Sequence, residues 1–208
     1  MKLIVIMANI LTFFRIIVSL AIPIGYWLVI NFSKNFNEEK FFLFLLTLFI
    51  LASISDFLDG FIARKWNQES DIGKILDPIA DKLLVIISLI ILIISFEENP
   101  IIFFSSILII FREILISGLR EIGKSSGLIL NVTKLSKWKT AAQLASIILL
   151  FLNIFYYNNS YDEFIFPLWI YTFSYFIGNL LILIASLLSI LSAYRYVMET
   201  ISFIKEKD

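Results

Sequence analysis

Long apolar runs separated by short polar segments dominate the chain. Six of them, about 3–31, 40–63, 74–95, 100–119, 138–157 and 165–198, reach the length of a membrane-spanning helix, which is roughly 20 apolar residues. The last run exceeds that length and is expected to extend out of the bilayer. The first begins almost at the N-terminus without a small-residue cleavage site behind it, so it reads as a retained helix rather than a signal peptide. The expected architecture is an all-α integral membrane protein of six transmembrane helices, one domain over 1–208. No linker, repeat or low-complexity tract divides it.

The polar segments carry a one-sided charge. Segments 32–40, 96–100 and 158–166 hold Glu38, Glu39, Glu97, Glu98, Asp162 and Glu163 against only Lys34 and Lys40. The other side collects Lys2, Arg64, Lys65, Lys74, Arg120, Lys124, Lys134, Lys137, Lys139, Lys205 and Lys207. Cationic loops stay on the cytoplasmic side, which predicts cytoplasmic termini in a multi-pass protein of the cell inner membrane. The formal net charge of zero hides this asymmetry. Composition then narrows the chemistry. The 208 residues are 60% hydrophobic, with mean hydropathy +0.92. There is no Cys and no His, which excludes disulfides, thiolate metal sites, Ser-His-Asp triads, histidine bases and imidazole-bound zinc. Catalysis must rest on Asp, Glu, Lys, Arg, Tyr, Ser or Thr.

Against that background, Asp56, Asp59, Asp77 and Asp81 stand out, because an ionised carboxylate at membrane depth costs at least a few kcal/mol unless paired, hydrated or metal-bound. Asp56, Asp59, Gly60, Ala63 and Arg64 share one helical stripe at the end of the second run, and Gly73, Asp77 and Asp81 share another at the start of the third. A short turn joins the two, so the stripes can face each other. Gly60, Ala63 and Gly73 remove bulk where a ligand or helix comes close. Facing carboxylates repel unless a cation lies between them, and oxygen donors without nitrogen or sulfur favour Mg²⁺ or Mn²⁺. Four carboxylates suit two ions spaced to clamp a phosphoryl group. The ordinary alternative, salt bridges to Arg64, Lys65, Lys74 and Lys82, would serve for one Asp–Lys pair but poorly for four aspartates on adjoining stripes.

The pattern Asp-x₂-Asp-Gly-x₂-Ala-Arg-x₈-Gly-x₃-Asp-x₃-Asp resembles the signature of the CDP-alcohol phosphotransferases, with all eight fixed positions present. The resemblance implies a six-helix, usually dimeric membrane fold. It also implies two divalent ions on Asp56, Asp59, Asp77 and Asp81, with Asp81 doubling as general base. Gly60, Arg64 and Ser70 would contact the CDP group of CDP-diacylglycerol, beside Ala63 and Gly73; Ser70 also reads as an N-cap ahead of Asp71.

Further stretches are similar to the phosphatidylglycerophosphate synthase branch of that family: Asn9–Arg15, with Ala8 where proline is usual; Leu76–Lys82; Phe111–Glu121; and Lys134–Thr140, with Ser136 where glycine is common. The acceptor implied is sn-glycerol 3-phosphate, and no nucleic acid is expected as partner. Arg112 and Arg120, eight residues apart, share a helix face, and Lys137 and Lys139 are expected from the following loop. Such cations suit a phosphate, which Arg can hold bidentately. Lys139 is equally explained as a positive-inside anchor, and Arg112 by an internal salt bridge to Glu113. Arg195 reads either as a third phosphate contact or as an interface anchor. Asn9 and Thr12 touch the nucleotide or simply pack. Gly123-x₃-Gly127 is expected in a polar loop. Rival readings are a synthase of the same family using serine, inositol phosphate or phosphatidylglycerol, and a cation- or proton-coupled transporter. The transporter would place carboxylates near the midplane and show paired halves, whereas these four lie near one face.

Overall fold

A computed structural model describes residues 2–32, 41, 43–55, 71–125, 127, 134–157 and 168–207. These residues form helices, with turns at 96–99 and 127 and no strand among them: α1 (Lys2–Phe32), α2 (Leu43–Ser55), α3 (Asp71–Ser95), α4 (Pro100–Ser125), α5 (Lys134–Tyr157) and α6 (Leu168–Lys207). Five of the six, all but α2, are long and apolar enough to cross a membrane. The expected second span, 40–63, runs past the described residues after Ser55. The chain is a multi-pass membrane protein.

Each helix turns its polar side inward. On α1, Ile10, Phe13, Ile17, Leu20, Ile24 and Trp27 form the exposed stripe, while Thr12, Arg15, Ser19, Ile22 and Val29 are buried. Both series follow the three-and-four spacing of a helix face. This arrangement suits lipid, where apolar side chains face the acyl chains and small or polar ones mediate helix contact. The buried stripe of α6 shows it most fully, with Ser174, Ile182, Ala185, Ser189, Ser192, Tyr196 and Thr200. In the same register lies Gly178, where an added Cβ would stand 2.9 Å from Leu150 Cγ. There α5 and α6 approach closely enough for Ser146 to donate to the Gly178 carbonyl at 2.9 Å.

The contacts fix the helix directions. Tyr26 and Ser95 hydroxyls meet at 2.6 Å at the far ends of α1 and α3, and Thr12 bonds Asp77 at their near ends, so α1 and α3 run parallel. Between α3 and α4 the chain turns at Asn99, whose side-chain oxygen accepts from the amides of Ile101 and Ile102 at 3.0 and 3.2 Å. With Pro100 in the first helical position this is an N-cap of the usual chemistry. The Asn99 amide donates to Tyr175 and Asn179 on α6, each at 2.8 Å. Helices α5 and α6 pack antiparallel along most of their length, α4 lies along α6, and α3 touches α1, α4 and α5. The buried charged groups, Arg15 on α1, Arg112 on α4 and Lys139 on α5, collect at one end of this bundle.

Candidate active site

At that end, α1 and α3 form the first half of the site. Asp77 and Asp81 lie one turn apart on α3 with side chains 38% and 41% exposed. Beneath them is the Arg15 guanidinium, 1% exposed. Its Nη1 bonds Asp81 Oδ1 and its Nη2 lies 3.4 Å from Asp77 Oδ1. The Thr12 hydroxyl, one turn earlier on α1, donates to the same Asp77 oxygen. Gly73 and Ala80 are buried on the inner side of α3, keeping it close to its neighbours.

The second half is built by α4, α5 and α6. Glu113 bonds two cations: Arg112 Nη1 stands 3.3 Å from both carboxylate oxygens, and the Lys139 ammonium bonds Oε1. Arg112 Nη2 donates to Ser192 Oγ at 3.0 Å. Two turns along α4, Arg120 donates to the Tyr196 hydroxyl at 2.8 Å, with its Cζ 4.9 Å from the ring centroid. Ser136 Oγ lies 3.4 Å from that hydroxyl. The Nε–H groups of Arg112 and Arg120 are buried without a hydrogen-bond partner among the described residues. Unsatisfied buried donors are rare enough to call for a ligand or water.

Lys82 links the halves. It follows Asp81 on α3, its ammonium bonds Ser117 on α4, and it lies within electrostatic range of Asp81, Glu113 and Arg120. A carboxylate pair thus faces a cluster in which Lys82, Arg112, Arg120 and Lys139 outnumber Glu113. Such a site can hold a divalent cation on one side and a phosphate on the other. The donor set fits that cation: Asp77 and Asp81 already converge on one positive group, and their exposed oxygens are hard ligands. Among the described residues no three acidic groups stand together.

Several expectations change. Lys137 and Lys139 lie in the first turns of α5 rather than in a loop, because the helix begins at Lys134. Lys139 is buried against Glu113, so surface anchoring does not account for it. Lys137 and Arg195 are exposed. The internal Arg112–Glu113 salt bridge is present. Gly123 is buried within α4 rather than in a loop, and Gly127 turns the chain after it with φ of 86°. Asn9 is half-buried near the start of the site. Asp56, Asp59, Gly60, Ala63, Arg64 and Ser70 lie outside the described residues. Reading the sequence missed Arg15, Glu113, Lys82 and Tyr196 as parts of the site. The first two carried a signal, since each is a charge inside an apolar run.

A sequence model described as CDP-alcohol phosphatidyltransferase matches residues 5–191. Three curated proteins named CDP-diacylglycerol--glycerol-3-phosphate 3-phosphatidyltransferase are similar to the chain. That of Cereibacter sphaeroides is 44% identical over 144 residues, 69% of this chain and 62% of that protein. That of Wigglesworthia glossinidia brevipalpis is 42% identical over 141 residues, 66% of this chain and 71% of that protein. That of Rickettsia felis is 33% identical over 190 residues, covering 90% and 91%.

Proposed function

The chain belongs to the CDP-alcohol phosphatidyltransferase family, and from that premise we propose that it transfers the phosphatidyl group of CDP-diacylglycerol to sn-glycerol 3-phosphate. Phosphatidylglycerophosphate forms and CMP leaves. The observation that carries this reading is the meeting of the Asp77–Asp81 pair with the cationic cluster of α4 and α5, joined by Lys82. A neutral acceptor needs no such cluster, whereas the phosphate of glycerol 3-phosphate does. The relatives' names support the same substrates.

In this reading Asp56, Asp59, Asp77 and Asp81 hold two divalent cations, Mg²⁺ or Mn²⁺. When bound, these neutralise the pyrophosphate and the charge that develops on CMP. Asp81 accepts the proton from the primary hydroxyl of the acceptor as that oxygen attacks the lipid-side phosphorus. Asp81 is suited to the task because its carboxylate is partly open while Arg15 fixes it from below. The unsatisfied Nε–H groups of Arg112 and Arg120 supply donors for the acceptor phosphate, with Lys137 and Arg195 at its outer edge. Asn9, Thr12, Gly60, Ala63, Arg64, Ser70 and Gly73 line the nucleotide side. The acyl chains stay in the bilayer, and only the head group enters the polar end of the bundle.

The parallel course of α1 and α3 supports six crossings, because the chain between them must return through α2. Both termini then lie at the charged end, which the excess of lysine and arginine puts in the cytoplasm. Residues 1–208 act as one domain, and the enzyme is a homodimer, as the family resemblance implies. The test is a micelle assay with CDP-diacylglycerol, Mg²⁺ and labelled glycerol 3-phosphate, serine or inositol 1-phosphate in parallel, with wild type and Asp81→Asn. Label should enter lipid from glycerol 3-phosphate alone, and chelation or the substitution should abolish it. Label from another acceptor overturns the acceptor assignment, and a fully active Asp81→Asn overturns the base.

A further inference from the structure

We infer that Arg15 is a permanent counter-cation to the Asp77–Asp81 pair, a positioning residue that holds both carboxylates together without metal and weakens their grip on a divalent ion. The inference rests on the reading that these aspartates hold such an ion. Its basis is the geometry of α1 against α3. Arg15 is 1% exposed, whereas its two partners are 38% and 41% exposed. The guanidinium therefore covers the inner side of the pair, while both carboxylates stay partly exposed. Two of its nitrogens reach two different carboxylates, so one buried positive charge serves both. Thr12 adds a third donor from the same helix, so α1 presents a preformed surface to the acidic face of α3.

Two consequences follow from charge alone. Arginine does not lose its proton in a protein, so its charge is present whether or not metal is bound. Without metal, it offsets the repulsion between two carboxylates one turn apart on α3 and ties that face to α1. With metal, the same fixed charge repels the incoming divalent ion. Arg15 thereby exchanges affinity for a site already assembled before the ion arrives, and it keeps the ion exchangeable.

The experiment is thermal unfolding of the full chain in micelles, in chelator and across a Mg²⁺ titration, for wild type, Arg15→Met and Arg15→Lys. A ligand that binds only the folded state raises Tm with its occupancy, so the midpoint of the rise reports binding without any turnover. Wild type should gain stability with Mg²⁺. Arg15→Met should unfold earlier in chelator, gain more from Mg²⁺ and reach half-saturation at a concentration lower by about fivefold or more, the size of an ordinary coupling between sites. Arg15→Lys should restore the wild-type midpoint because it restores the charge. Arg15→Gln, neutral but polar, takes the place of Arg15→Met should that variant fail to fold. A neutral variant with the wild-type midpoint overturns the inference, as do Met and Lys variants that shift alike, the pattern of a packing role. A wild type indifferent to both Mg²⁺ and Mn²⁺ overturns the metal reading itself, and with it this one.

Discussion

Glu113 lies between Arg112 and Lys139 and pairs with both, so its charge holds two cations side by side in a place with little water. Removing one partner of a buried ion pair leaves uncompensated charge and costs about 3–5 kcal/mol. Glu113→Gln should therefore lower the unfolding temperature of the purified protein by a margin far outside that of a surface substitution, whereas Lys137→Gln on exposed Lys137 should not. Arg112→Ala should mainly raise the KM for glycerol 3-phosphate and leave the KM for CDP-diacylglycerol near wild type; an unchanged acceptor KM removes Arg112 from the phosphate site. At this scale the sequence was readable where partners are near neighbours. Asp77 and Asp81 announce a shared face by their spacing, and Arg112 stands next to Glu113. Arg15 and Asp77 are 62 positions apart, and only the packing of α1 on α3 brings them together. Lys139 stayed open between two readings for the same reason, since a lysine near a helix end resembles an anchor until the surface of α4 covers it.

Among the elements, α6 depends on small side chains to reach α5 and α4. Gly178→Val should be destabilising by about 1–3 kcal/mol, the range for overpacking a close contact, because its Cβ would meet Leu150 at 2.9 Å. Thermal unfolding measures it, and turnover per folded molecule should be retained, since Gly178 lies toward the end of the bundle opposite the charged cluster. Helix positions were legible in the apolar runs, but their ends were not. Hydropathy falls at Leu119, yet α4 continues to Ser125, and α5 starts at Lys134 although apolar character begins at Trp138. Charged residues at these ends satisfy a helix as well as apolar ones do, and they carry the groups that form the site.

For the whole molecule, side selection is the testable property. The chain contains no cysteine, so single replacements can be labelled without background. Glu97 and Lys205 are both exposed, at opposite ends of the bundle. Glu97→Cys should react with a membrane-impermeant maleimide in spheroplasts and Lys205→Cys only in inverted vesicles; the reverse pattern would turn the orientation over. The charge asymmetry of the loops was legible from the sequence because it is a property of composition along the chain. The assembly of two clusters around Lys82 was not, because it depends on how five helices meet.

The outward stripe of α1 and its counterparts have a calorimetric consequence. A water-soluble domain unfolds by wetting its apolar interior, and the accompanying rise in heat capacity bends its stability curve. Here Ile10, Phe13, Ile17 and Leu20 already face the surrounding lipid or detergent, while serines and ion pairs share the inside with Phe49, Leu89, Leu92, Ile109 and Leu150. Helices that separate within a micelle would exchange one apolar neighbour for another and hydrate little new hydrocarbon. Scanning calorimetry should accordingly find a small heat-capacity step for the chain's size, and a stability that declines almost linearly with temperature.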